Sequence, residues 1–501
     1  MPRTMLKPAV GASPRAPFAM TTPDDAAPRL PIKLDATSNG EFAPVPLDAV
    51  ARHARRLAHE ATDDAARRLG QTRRRYLASL LGAAATLAAF DRAFAAAGRR
   101  GGRFLLPDEA AFEPAAARSA LGGDEFIFDV QLHHVNPQGA WRRRASKDAF
   151  TNFPYSRCGE SDPVECFSSG RLLKDVFLDS DTAMGVLSHV PGGAASNPLD
   201  FAAAGATREA VDALDGSERL LLHGRCMPTL DGELEAMAEQ AERWRPAAFK
   251  TYTQFGPPDG PAGFFLDDER HGTPFIERAR ALGVRRIAVH KGLPFGPRGH
   301  EYSLARDIGP AARRHPDMSF LVYHSGFDPA VPEGPYEPAA RAGVDVLLRS
   351  VLDAGRPSNV YAELGSTWRY LMRDPQQAAH LLGKLLKTFG EDRVLWGTDS
   401  IWYGSPQDQI QAFRAFAISP EFQERYGYAA LTPDVKRKVF GLNAARVYGL
   451  KPEALRRRLA RDRVHKSRLE YLNDPRPGFE TYGPRTRAEF LAFRRLQGAL
   501  P

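Results

Sequence analysis

The sequence predicts an α/β protein whose central unit is a closed (β/α)8 barrel, with a flexible and helical extension before it and a helical tail after it. Three observations carry that prediction. First, eight short apolar runs (FIFDVQL, MGVLSHV, RLLLHGRC, AAFKTY, RRIAVH, MSFLVYH, NVYAEL and RVLWGTD) follow one another between positions 126 and 399, most of them bounded by Gly, Pro, Asp or Asn. Second, helical patterns lie between them, clearest in LEAMAEQAERW, PFIERARALG, ARDIGPAARRH, RAGVDVLLRSVLDAG and AAHLLGKLLKTFG. Strand-then-helix units in that number close into a barrel. Third, neither GxGxxG nor GxxxxGK occurs, which counts against an open doubly wound sheet, the alternative architecture.

Taken in order, residues 1–45 are rich in Pro and small residues without a sustained period and read as a flexible arm. From Leu47 to Leu69, the stripe Leu47, Val50, Ala54, Leu57, Ala61, Ala65 and Leu69 predicts an amphipathic helix. It opens a helical segment over 46–122 that holds the one legible targeting signal: Thr72-Arg73-Arg74-Arg75-Tyr76-Leu77, the apolar run LASLLGAAATLAAF, and Ala93-Phe94-Ala95. A charged patch, a short apolar core and a small-x-small site are the parts of a secretory signal, and the paired arginines resemble a twin-arginine export signal. Residues 72–95 therefore point to a periplasmic or exported protein. The long stretch ahead of the arginines and the interruption at Asp91-Arg92 leave an alternative, a retained Ala-rich helix in a cytoplasmic protein. The barrel occupies 123–450. The tail, 451–501, reads as helices with basic faces that close one end of the barrel.

Composition narrows the function classes. The net charge of +8 over 501 residues is mild, and 56 of the 68 cations are Arg, a skew that goes with abundant Ala and fits GC-rich coding better than a nucleic-acid surface. Tail aromatics Tyr471, Phe479 and Tyr482 are too scattered for base stacking, so no nucleic acid is expected. Hydrophobic residues at 43% and charged ones at 26% exclude a disordered or fibrous chain. No run approaches the ~20 apolar residues that span a bilayer, so no integral membrane segment is expected. Cys158, Cys166 and Cys226 offer neither a disulfide framework nor a CxxC zinc signature. The expected partner is a small-molecule substrate, and assembly into a homo-oligomer is compatible with all of this.

The chemistry lies at the strand ends. His133, His223, Lys250, His290, His324, Glu363 and Asp399 each fall at or near the carboxyl end of a different run, the end at which barrel active sites are built. One such residue alone reads as a hydrogen-bonded structural group; seven on seven strands converge on one mouth. Gln131 and His133 are two apart and share a strand face with Asp129, which gives half of a divalent-metal site. His290 and Asp399 complete it, and such nitrogen and oxygen ligands suit one Zn²⁺, with Mn²⁺ or Fe²⁺ as alternatives. His324 is either a further ligand or an acid/base group, and His134 faces the other way.

The segments FDVQLHHVNP, AVHKG, VYHSGFD, LWGTDS and VFGLNAARVYGL resemble the amidohydrolase superfamily, in particular its amidohydrolase-related group of metal-dependent hydrolases and aromatic-acid decarboxylases, over roughly Asp124 to Leu450. The resemblance implies a first strand of the form Asp-x-His-x-His, His at the ends of the fifth and sixth strands, and Asp at the end of the eighth. His133, His290 and Asp399 then fall on ligand positions, and His324 on that of a ligand or catalytic His. Gln131 replaces the first His of the pair, a weaker donor for Zn²⁺. Lys250 matches a region where some superfamily members carry a carbamylated lysine bridging two metals. With a weakened first-strand pair, one metal and an uncarbamylated Lys250 facing the substrate are expected.

The expected activity is hydrolysis of a C–N or C–O bond by metal-activated water, with Asp399 as general base and His324 stabilising the oxyanion. Decarboxylation of an aromatic or unsaturated acid is the alternative, and a degenerate barrel acting as a binding protein is a second one. Lys250, Arg225, Glu363, Trp368 and Trp402 are the expected substrate-facing residues, with Trp141, Arg142, Tyr252, Phe255, Arg369 and Tyr403 as further pocket candidates.

Overall fold

All eight predicted runs form strands in the computed structural model, which describes residues 29–143, 157–192, 197–215 and 218–496. A short strand, β1 (Gly102–Phe104), precedes them and pairs antiparallel with β10 (Phe416–Ile418), outside the barrel. The barrel strands are β2 (Ile127–Leu132), β3 (Thr182–Leu187), β4 (Leu220–Arg225), β5 (Ala248–Tyr252), β6 (Arg286–His290), β7 (Ser319–Tyr323), β8 (Val360–Glu363) and β9 (Val394–Leu395). Each pairs in parallel with the next in sequence. The last strand closes on the first: Val130 N donates to Trp396 O at 3.1 Å, Asp399 N to Gln131 O at 3.0 Å, and His133 N to Ser400 O at 2.6 Å.

Period-two alternation explains the burial on both strand faces. Phe128, Val130, Met184, Val186, Ala248, Ala288, Leu321 and Leu395 cluster with Ala444, Tyr448, Leu455 and Leu459, so the helices Asn443–Val447 and Pro452–Leu459 plug the amino end of the barrel. Ile127, Phe249, Ile287, Val289, Phe320, Val322, Val360 and Ala362 belong instead to the large cluster shared with the outer helices.

Ahead of the barrel, α1 (Ala49–Arg68), α2 (Arg73–Leu77) and α3 (Leu80–Ala96) form a small helical layer. Asp48 caps α1 by accepting from Ala51 N at 2.8 Å. The buried stripe of α1 runs through Ala51, Ala54, Ala58, Thr62, Ala65 and Ala66, while Val50, Leu57 and Ala61 of the predicted stripe lie at its edge. Small side chains let α1 lie close along the Ala-rich α3, so alanines rather than the larger residues occupy the contact. The apolar run of the signal-like segment is α3 itself, with Leu87, Phe90 and Phe94 buried in the core shared with the barrel's outer face. Among the described residues no helix is long and apolar enough to cross a membrane.

Two expectations are corrected. Residues 29–45 were expected to belong to a flexible arm, but Leu30, Ile32, Leu34, Asp35, Thr37, Ser38 and Asn39 are buried; residues 1–28 lie outside the described residues. This strap has no helical or strand period because partners distant in sequence hold it instead. Lys33 pairs with Asp408 at 3.3 Å, Asp35 with Arg369 at 2.8 Å, and Ser38 N donates to Pro484 O at 2.9 Å. The second correction concerns cysteine: Cys158 and Cys166 form a disulfide, and Cys226 is free and buried. The tail also does more than close one end, because the helix Arg487–Leu496 places Phe493 against Trp402 at the opposite, carboxyl end.

Candidate metal centre at the barrel mouth

The site is built where β2, β6, β7, β8 and β9 end. Four residues there adopt a left-handed backbone: His324 (φ 64°), Ser325 (φ 55°), Ser366 (φ 54°) and Asp399 (φ 58°). A non-glycine residue in that region carries strain, and a cluster of them at strand ends marks a constrained site. Glycine is required at 397, where a Cβ would come within 1.7 Å of Glu363 Oε1. The terminal Gly397-Thr398-Asp399 thus bends out of β9 because Thr398 N donates to Asp129 Oδ1 at 3.1 Å and Asp399 turns its carboxylate inward.

Three imidazoles face the centre, and hydrogen bonds to their outer nitrogens settle their orientation. His133 Nδ1 bonds Ser188 O at 2.8 Å, and His324 Nδ1 bonds Gly365 O at 2.8 Å. His290 Nε2 faces Leu293 O at 3.3 Å. A carbonyl accepts only, so each outer nitrogen carries a proton, and at His290 and His324 the inner nitrogen presents a lone pair, the arrangement by which metal-ligating histidines are held. Burial keeps His324 at about 4 and pushes His290 well below its ordinary value, so both rings are neutral.

Asp399 gathers the carboxylate side. Its Oδ1 lies 3.1 Å from His133 Nε2 and accepts from Gln131 Nε2 at 3.0 Å, and its Oδ2 accepts from Asn39 Nδ2 at 2.8 Å and from Ser366 Oγ at 2.5 Å. Burial works to raise its proton affinity, but the hydrogen bonds from His133 and Ser366 outweigh burial and hold the carboxyl well below the usual range. Glu41, on the strap, enters the same space. Its carboxylate oxygens lie 3.6 Å from His290 Nδ1 and 3.8 Å from His324 Nε2, and the three ligand atoms are within 4.8 Å of one another. Burial, then the neighbouring Asp399, raises Glu41 to about 8.

The expected residues divide. Gln131, His133, His290, His324 and Asp399 come together, and Lys250 lies within electrostatic reach of Glu41, Glu363 and Asp399. Lys250 sits within β5 rather than at its end, its Nζ 3.7 Å from the centre of the Tyr323 ring and without a hydrogen-bond acceptor. Burial lowers it to about 7 against the pull of those three carboxylates. Glu363 supports the site from below: it accepts from His324 N at 3.0 Å and Gly365 N at 2.6 Å, and burial raises it to about 8. Trp402 walls the mouth, its ring 6.3 Å from that of His133 and 5.1 Å from Phe167.

Others are engaged elsewhere. Arg225 pairs with Glu233 at 2.8 Å and bonds Gly192 O, and Trp368 donates to Gln409 O at 2.9 Å while packing on Phe413 and Phe416. Both were expected at the substrate; an ion pair and an indole hydrogen bond hold them in the surrounding scaffold. His223 is mid-strand, between Ser188 Oγ and Tyr448 OH, and His134 faces Thr207 as expected. Sequence reasoning missed Asn39, Glu41 and Ser366. Ser366 was within reach, three residues beyond Glu363; nothing in the strap's Pro-rich texture marks the other two.

No curated protein matches the chain. Among solved structures it is similar to an uncharacterized TIM-barrel protein from Bordetella bronchiseptica (17% identity, TM-score 0.42, covering 64% of this chain and 98% of that one). It is also similar to 5-carboxyvanillate decarboxylase from Sphingomonas paucimobilis (15%, 0.39, 66% and 100%) and to a putative 2-pyrone-4,6-dicarboxylic acid hydrolase from Pseudomonas putida (16%, 0.35, 65% and 98%). The amidohydrolase family model matches residues 168–450, more than half of the chain, beginning after β2 and ending where the barrel ends. The chain belongs to the amidohydrolase family and is an enzyme of that family.

Proposed function

We propose that the barrel mouth is a divalent-metal centre that hydrolyses a C–N or C–O bond of a small organic substrate. The observation that carries this reading is the hydrogen bonding of His290 and His324, whose outer nitrogens are bound to backbone carbonyls while their inner lone pairs face Glu41, with His133 held by Ser188 O beside Asp399. The donors fit a cation: among the described residues His290 Nδ1 is buried without a hydrogen-bond partner while facing Glu41 Oε1 at 3.6 Å. Nitrogen and oxygen donors suit Zn²⁺ first, with Mn²⁺ and Fe²⁺ as alternatives.

A cation there supplies Lewis acidity, polarising a carbonyl and acidifying a coordinated water. The protein's own groups do the rest. Asp399, whose Oδ1 accepts from Gln131 beside His133 and whose Oδ2 accepts from Asn39 and Ser366, is the group that takes up a proton. Its low proton affinity favours passing that proton on to the leaving group. His324 Nε2 presents its lone pair to the same space and would help hold the cation. Tyr252, Phe295 and Trp402 are buried around the mouth and exclude water from it.

One observation favours decarboxylation as a second reading. Lys250 Nζ is a buried amine without an acceptor among the described residues, and a substrate carboxylate would favour its charged form. The test is metal analysis of protein purified without chelator, followed by a substrate panel assayed for both hydrolysis and CO₂ release. Bound metal with turnover abolished by Asp399→Asn supports the proposal. Neither bound metal nor activation by added Zn²⁺, Mn²⁺ or Fe²⁺ refutes it.

For localisation we propose an oxidising compartment, supported by the Cys158–Cys166 bridge together with the signal-like segment 72–95. Cleavage after Ala95 would also discard the strap and Glu41, so export with that segment retained is the form compatible with the centre described above.

A further inference from the structure

We infer that the N-terminal strap is part of the catalytic centre, with Glu41 supplying a carboxylate ligand from outside the barrel in place of the donor that Gln131 does not provide. The inference rests on the metal reading above and concerns which residues complete that site.

Gln131 turns its Nε2 toward His133, His324 and Asp399, at 3.3, 3.5 and 3.0 Å. An amide N–H donates and cannot ligate a cation. Its Oε1 is buried without a partner and faces Gly365, where a Cβ would meet it at 2.2 Å. The first strand therefore offers the centre one ligand, His133. Glu41 fills the deficit. Its 3.6 and 3.8 Å separations from His290 and His324 are too long for hydrogen bonds and right for donors sharing one ion, since ligands about 2.1 Å from a metal lie roughly 3–4 Å apart.

The turn carrying Glu41 is built for that position. Asn39 Nδ2 donates to Glu41 Oε2 at 2.5 Å and to Asp399 Oδ2 at 2.8 Å, tying the two carboxylates together, and Asn39 Oδ1 accepts from Glu41 N at 3.0 Å. Between them Gly40 has φ +88°, and a Cβ there would come within 2.2 Å of Phe493. The strap is thus clamped between the barrel mouth and the C-terminal helix, and both the strap and that helix lie outside the segment that matches the family. A barrel cut to the matching region would lack this ligand.

The experiment is Mn²⁺ titration followed by the EPR signal of the free ion, on the full chain stripped of metal, for the native protein, Glu41→Gln and a surface control, Glu424→Gln. Circular dichroism and thermal unfolding of the metal-free proteins come first. Burial disfavours the charge on Glu41, so the neutral isostere is expected to unfold no earlier than the native chain. Expected are one Mn²⁺ per native chain, binding at least tenfold weaker in Glu41→Gln, and no change in Glu424→Gln. Native protein that binds while Glu41→Gln binds within twofold of it overturns this inference alone. Failure of the native chain to bind overturns the metal reading as well. Should Glu41→Gln not fold, Glu41→Asp replaces it: the carboxylate then falls short of the two imidazoles, and unchanged affinity overturns the inference.

Discussion

Asp35→Asn removes one charge from the contact that fastens the strap to the barrel. Asp35 Oδ1 accepts from Arg369 at 2.8 Å and from Thr37 N at 3.0 Å, Oδ2 accepts from Thr481 Oγ1 at 3.2 Å, and the ion pair is nearly closed to solvent. Burial alone would raise this carboxyl, but Arg369 first, then Thr37 and Arg29, overcome burial and hold it at about 2 rather than 3.8. A group whose folded value is depressed contributes stability that is present above its unfolded value and is lost as pH falls through the folded one. The difference corresponds to about 2 kcal/mol at pH 7, and the loss of one partner of a buried pair typically costs about 3–5 kcal/mol. Urea unfolding should therefore show Asp35→Asn about 2–4 kcal/mol less stable than the native chain at pH 7. The gap should narrow between pH 4 and pH 2 as the native carboxyl protonates. Hydrogen exchange should locate the loss in residues 35–42 and 481–494. Equal stability at pH 7, or a gap that does not change down to pH 2, would refute the reasoning.

Gly40→Ala places a Cβ against Phe493 at a left-handed φ, and roughly 2–4 kcal/mol of local destabilisation is expected, read as faster exchange of the strap and weaker Mn²⁺ binding; native behaviour would contradict the clamp. Asp399→Asn should abolish turnover, a loss above 10³-fold, while leaving the circular dichroism spectrum unchanged; retained activity removes Asp399 from the chemistry. Arg225→Lys, at the buried ion pair with Glu233, should alter thermal stability more than KM, whereas a raised KM at unchanged stability would return Arg225 to the substrate. Alkylation of denatured, unreduced protein from its native host should label one cysteine, Cys226; three labels would argue against the bridge and against an oxidising compartment.

The barrel was legible because buried parallel strands announce themselves as apolar runs, and His133, His290, His324 and Asp399 were legible because each ends or follows such a run. Asn39 and Glu41 were not. Their place depends on contacts such as Asn39 to Asp399, 360 residues apart, and a strap held by scattered partners has no period to read. Arg225 and Trp368 show the opposite failure. A strand-end Arg and an aromatic residue suit a pocket and a scaffold equally well, and only the partners, Glu233 for one and Gln409 for the other, decide. Cysteine spacing was silent as well, since the seven residues between Cys158 and Cys166 match no metal motif and form no repeating framework.

The most direct measurement is anomalous diffraction from crystals of the full chain grown with Mn²⁺. A single strong peak is predicted at the barrel mouth, within bonding distance of His290, His324 and Glu41, with His133 and Asp399 lining the same space. A peak bound elsewhere, or none at saturating Mn²⁺, would contradict a metal centre at this site.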